Sequence, residues 1–98
     1  MSYDVSIGEE WFNYTSNMRE FFIAFGAYPM DWNGAAAKEV EISITYALQA
    51  IATHPTSYLQ EFSADNGWGS WESALYWLWE IRDAVGRADP NQKIEVTA

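Results

Sequence analysis

The chain contains no cysteine and a single histidine among its 98 residues. Without cysteine there is no disulfide, no thiolate nucleophile and no zinc site built on sulfur. His54 has no second histidine to join in a metal cluster and no serine or aspartate arrangement nearby to activate a nucleophile. Its place at the end of a helix, just before Pro55, suits it to the negative end of the helix dipole instead. Cations are also scarce: Arg19, Lys38, Arg82, Arg87 and Lys93 stand against 14 acidic residues, for a net charge of −9. Such a surface repels phosphate backbones, so direct nucleic-acid binding is not expected. A basic protein surface is the partner this charge fits, and a solvated acidic surface with no partner is the plainer alternative. No long apolar run is present; the longest, Ala74 to Trp79, is far too short to span a bilayer. The start, Met1-Ser2-Tyr3-Asp4-Val5, lacks the basic region and apolar stretch of a signal peptide, which points to the cytoplasm.

What the chain has in quantity is apolar and aromatic area: hydrophobic residues make up 49% and aromatics 17%. That is enough to fold, and the length suits one domain over residues 1–98, burying roughly 60–65% of the surface of the unfolded chain. Tyr3, Val5 and Ile7 alternate with polar residues up to Gly8, and Ile94 and Val96 alternate near the other end. Both patterns read as half-buried strands. The economical way to satisfy their edges is to pair them with each other or with a segment near Trp11 to Tyr14.

Three helices are expected between them. The first follows Asn13-Tyr14-Thr15-Ser16-Asn17, read as a loop, with Asn17 and Glu20 close to a capping box, and ends at Gly26. The second runs from Asn33-Gly34 to His54, with Val40, Ile44, Ala47, Leu48 and Ile51 on its core face and Ile42 and Tyr46 opposite. A short turn, Thr56 to Glu61, follows it. The third is capped by Ser70 and runs to about Gly86 or Ala88, before Pro90, burying Trp71, Ala74, Leu75, Leu78, Ile81 and Val85. The fold class is therefore α+β, mainly α: a three-helix core with short terminal strands paired in a small sheet.

Two places carry candidate function. On the outward stripe of the third helix, Tyr76 and Trp79 stand among Glu72, Glu80 and Asp83. Like charges along one face weaken an isolated helix by a few tenths of a kcal/mol, so they are not there for helix stability. Aromatics supply contact area and carboxylates supply steering, the composition of a protein-binding face. The alternative is a solvated helix with Trp79 covered by another part of the chain. The second place joins Asn13, Tyr14, Thr15, Ser16 and Asn17 to the turn Asn66-Gly67-Trp68-Gly69, a candidate small-ligand loop. There the structural alternative is that the polar side chains order the loop and Trp68 plugs the core. Neither place has the convergent oxygen ligands of a hard-metal site or a matched acid/base pair in a cleft, so neither metal, cofactor nor catalysis is expected.

Taken together, Asn13-Tyr14-Thr15-Ser16-Asn17, the motif Asn66-Gly67-Trp68-Gly69 leading into Trp71-Glu72-x-Ala74-Leu75-x-x-Leu78, and the closing Pro90 to Val96 strand resemble a family of small, functionally uncharacterised proteins encoded by actinobacterial bacteriophages. The resemblance implies a phage origin and a host-cytoplasm setting, and transfers no catalytic residue. The stretch from the first strand to Asn13, only Gly8 to Phe12, is shorter than the resemblance leads one to expect. The leading functional expectation is a non-enzymatic acidic interaction module that binds and modulates or inhibits a host protein. A small-ligand-binding protein and a structural homo-oligomer, joined through its strands or through Ile42 and Tyr46, are the alternatives.

Overall fold

In the computed structural model, which describes residues 1–64 and 67–98, a three-stranded sheet packs one face against a layer of helices. The strands are β1 (Ser2–Ile7), β2 (Glu10–Thr15) and β3 (Ile94–Thr97), in the antiparallel order β2-β1-β3. The helices are α1 (Arg19–Ala24), α2 (Ala37–Ala52), α3 (Thr56–Gln60) and α4 (Trp71–Arg87), with 3-10 turns at Ser16–Met18 and Pro29–Trp32. The fold is α+β, mainly α, with the two termini paired as the alternating patterns require.

The sheet's two faces follow directly from period-2 alternation. Tyr3, Val5, Ile7, Ile94 and Val96 are buried on the inner face, while Ser2, Asp4 and Ser6 alternate onto the outer one. Gly8, at φ +62°, turns the chain tightly from β1 into β2. The stretch expected to be a loop, Asn13 to Thr15, is instead the end of β2, and Asn13 lies opposite Asp4 in register. Both pairings open to the terminal strands are thus made, with each other and with the segment around Trp11 to Tyr14; polar composition disguised only the strand's far end, and its inner residues Phe12 and Tyr14 pack against the core. The free edge of β3 is covered: Gly34 donates to Ile94 O, Ile94 donates to Ala35 O, and Val96 donates to Asn33 Oδ1. That pairing moves the start of α2 from Asn33-Gly34 to Ala37, whose first two amides donate to Gln92 and Pro90 carbonyls.

The first helix is shorter than expected because Thr15, not Asn17, does the capping: its Oγ1 accepts from Asn17 N and closes a 3-10 turn first. The Asn17 side chain reaches Trp68 O instead. Gly26, at φ +72°, ends the segment as its position suggested. α4 begins as read, on a capping box in which Ser70 and Ser73 satisfy each other's backbone amides. Its buried stripe is Ala74, Trp77, Leu78, Ile81, Ala84 and Val85; Trp71 and Leu75 are only partly buried. The core face expected for α2 is buried throughout. The core is thus built by the two long helices α2 and α4 with the short α1 and the short turn α3 at the expected places, and Phe21, Phe22, Tyr14, Trp32 and Trp77 form an interlocked group of rings at its centre.

Candidate functional site

α2 and α4 lie side by side and run in opposite directions: Glu41, Thr45 and Leu48 approach Gly86, Arg82 and Trp79 in turn. Their inner faces supply core, so their outer faces are left to solvent. On α4 all five candidate partner residues, Glu72, Tyr76, Trp79, Glu80 and Asp83, are exposed. Trp79 is not covered by another segment; it stays 51% exposed, with the Arg82 guanidinium 5.9 Å from its ring centre. At 100° per residue, Trp79 leans toward α2, Tyr76 and Asp83 follow the crest, and Glu80 turns to the far side.

Across the groove, α2 adds Ile42 and Tyr46, 58% and 69% exposed, which match the 69% of Tyr76. Between the helices lie two adjoining hollows of about 370 and 340 Å³ that share Thr45, Gln49 and Arg82. Arg82 is the pivot of this groove: its Nε donates to Thr45 Oγ1 at 3.2 Å while its charge sits by the Trp79 ring. Among the described residues no carboxylate pairs with it. The sequence offers the α2 half of this surface only as a candidate self-association patch. Its signal was present in the sequence as apolar Ile42 and Tyr46 one turn apart on the face opposite the core stripe.

The second candidate place divides in two. Asn13, Thr15, Asn17 and Trp68 line, with Met1 and Ser2, an open depression of about 340 Å³ on the outer side of the sheet. Tyr14 is not part of it, because strand alternation turns the side chain inward. Its ring stacks on Trp77 at 5.3 Å, and its hydroxyl meets Ser73 Oγ at 2.6 Å and donates to Ser70 O at 3.3 Å. Burial pushes the Tyr14 phenol above its ordinary value, against the lowering effect of those hydrogen bonds. Ser16 holds the start of the chain through a bond from Oγ to Met1 O. Asn66 lies outside the described residues. Trp68 does not plug the core: it is 69% exposed, while Gly69, at φ +120°, comes so close to Met18 and Thr15 that a Cβ there would sit 2.9 Å from Met18 Cγ.

His54 Nδ1 lies 2.7 Å from Ala50 O at the end of α2, with its ring stacked on Tyr58, a structural role in keeping with its position. Among the described residues no three histidine, aspartate or glutamate side chains converge as a metal site. No described helix is long and apolar enough to cross a membrane. The chain matches no protein-family model, no curated protein and no solved structure.

Proposed function

We propose that the protein is a non-enzymatic interaction module that docks the α2–α4 outer face onto a basic surface of another protein. The observation that carries this reading is that both helices place exposed apolar side chains on the two sides of one groove. Ile42 and Tyr46 line it from α2 and Trp79 from α4, with Tyr76 exposed on the α4 crest beyond Trp79. Aromatic anchors over a hollow are what hot spots are made of. Glu41 lines the groove, Glu72 and Asp83 stand on the crest of α4 beside it and Glu80 adds charge beyond them, so a cationic rim on the partner is steered in and an acidic one repelled. The net charge of −9 on each copy opposes self-association through the same face. Following the resemblance to actinobacterial phage proteins, the partner is a host protein in the host cytoplasm, and the docking blocks or modulates it.

The experiment is capture from an actinobacterial lysate by the intact protein beside Trp79→Asp and Tyr46→Ala variants. The expected result is a protein with a basic surface whose binding weakens steeply as salt rises and is lost in both variants. Capture that ignores salt and survives Trp79→Asp overturns the reading.

A further inference from the structure

The outer face of the sheet is the other large surface that packing leaves unused. Alternation and register place Trp11, Asn13 and Thr15 of β2 beside Ser6, Asp4 and Ser2 of β1. Trp68 joins the Thr15 end of this row through the shared depression with Asn13 and Ser2. The row is therefore bounded by two exposed tryptophans, Trp11 at 64% and Trp68 at 69%, with hydroxyl, amide and carboxylate groups between them. Trp11 and Thr15 are four residues apart on one strand, so the backbone of the row from Trp11 to the depression at Thr15 runs on the order of 13 Å at the rise of an antiparallel strand.

The polar groups of the row are held in place. Asn13 Nδ2 donates to Ser2 Oγ and to Asp4 Oδ1, both at 2.9 Å. Its side-chain oxygen accepts no hydrogen bond from the described residues. Fixed acceptors between flat apolar rings select the ligand by elimination. The three strands contain no lysine or arginine, and Asp4 and Glu95 alternate onto the outer face, so a phosphate or carboxylate ligand is repelled. Two rings at opposite ends of such a row make no cage for an organic cation. A purely apolar ligand would leave the polar centre of the row desolvated and unpaired. What fits is an uncharged molecule with apolar flat faces, polar edges and a length that a single ring does not reach. From this geometry we infer that the outer sheet face is a binding site for a neutral oligosaccharide. Sugar rings stack on Trp11 and Trp68, and their hydroxyls donate to Asn13 and Asp4.

This site is separate from the α2–α4 groove, on the face of the sheet turned away from the helices, and stands or falls independently of it. The test is a titration of the isotope-labelled protein, followed by NMR, with cellohexaose, chitohexaose, laminarihexaose and maltohexaose up to millimolar concentration, beside a single-stranded thymidine oligomer. At least one hexasaccharide is expected to move the indole N–H signals of Trp11 and Trp68 and the side-chain amide of Asn13, leaving the Trp79 signal in place. Trp11→Ala and Trp68→Ala are each expected to weaken that sugar about tenfold, the loss typical of a truncated aromatic anchor. Trp11 lies exposed on the edge strand, so its variant folds and carries the test alone if Trp68→Ala does not. No response to any of the four sugars, a response centred on Trp79, or preferential binding of the thymidine oligomer overturns the proposal.

Discussion

Trp77 and Trp79 sit two residues apart on α4 and have almost nothing else in common. Trp77 is 4% exposed and stacks between Tyr14, at 5.3 Å, and Trp32, at 6.0 Å, with Phe22 at 5.6 Å. Trp79 is 51% exposed and has Arg82 by its ring. Two residues of helix turn a side chain by about 200°, which here is the whole distance from core to solvent. Residue type thus assigns neither role; phase on the helix does. A ring whose neighbours are already complete holds the fold together, and a ring with half its area in water is available to something outside it.

The largest expected effect breaks the inner half of that comparison. Trp77→Ala removes the ring that joins the sheet, through Tyr14, to the Pro29–Trp32 turn, through Trp32. Its indole nitrogen is buried and finds no hydrogen-bond partner among the described residues, so what is lost is packing area alone. Large aromatic deletions of this kind cost about 3–5 kcal/mol, a large part of the stability of a domain this size. Urea unfolding measures it. A cost under about 1 kcal/mol would mean that the interior rings do not organise the fold.

A smaller effect sharpens the same half by pH. The Tyr14 and Tyr3 phenols are both raised above their ordinary value of 10.0, burial being the main cause for each. A phenol that holds its proton more tightly in the folded chain leaves stability intact below the unfolded value. That stability is lost as pH rises through the folded one, because the unfolded chain ionises first. Unfolding midpoints should therefore hold up to about pH 9 and fall by about pH 11. Tyr14→Phe is expected to flatten that fall while lowering stability at neutral pH, since the bonds to Ser73 and Ser70 go with the hydroxyl. An unchanged alkaline slope in Tyr14→Phe would place the sensitivity elsewhere, with Tyr3 the next to test.

How far the sequence announces these two surfaces depends on where the signal comes from. The terminal strands, the α2 stripe and the Ser70 cap are legible because each rests on a local period or a local hydrogen bond. β2 is legible only in part: the segment near Trp11 to Tyr14 stands out as a pairing partner, but Glu10 and Asn13 lower the strand signal at its ends, and pairing with β1 extends it to Thr15. The start of α2 is displaced for the same reason: the chain around Asn33 to Ala36 is captured by β3, a contact between distant parts of the sequence. The acidic stripe of α4 was visible as composition. That Ile42 and Tyr46 complete it, and that Trp11 and Trp68 bound one polar row, depends on tertiary placement and register.

The smallest expected effect bears on the outer half. Trp79→Ala removes a ring of the same size as Trp77, yet it opens no cavity, because half of the ring already faces water. What it forfeits is one wall of the hollow it shares with Leu48 and Ala52 and the pairing with the Arg82 guanidinium, an exposed cation–π pair worth about 0.5–1 kcal/mol. Arg82 keeps its bond to Thr45, so the groove retains its charge. The stability change is expected to stay at or below about 1 kcal/mol, within the ordinary range for a surface substitution that keeps its neighbours satisfied. Binding of a partner at the α2–α4 face should fall in the same variant by far more than stability does, since an anchor contributes only once the partner has excluded water around it. Urea unfolding and a binding measurement on one sample of Trp79→Ala separate the two quantities. If unfolding costs as much as in Trp77→Ala, Trp79 belongs to the architecture and the docking face loses its anchor. If stability holds and binding collapses, two tryptophans of one helix, one turned inward and one outward, divide fold and recognition between them.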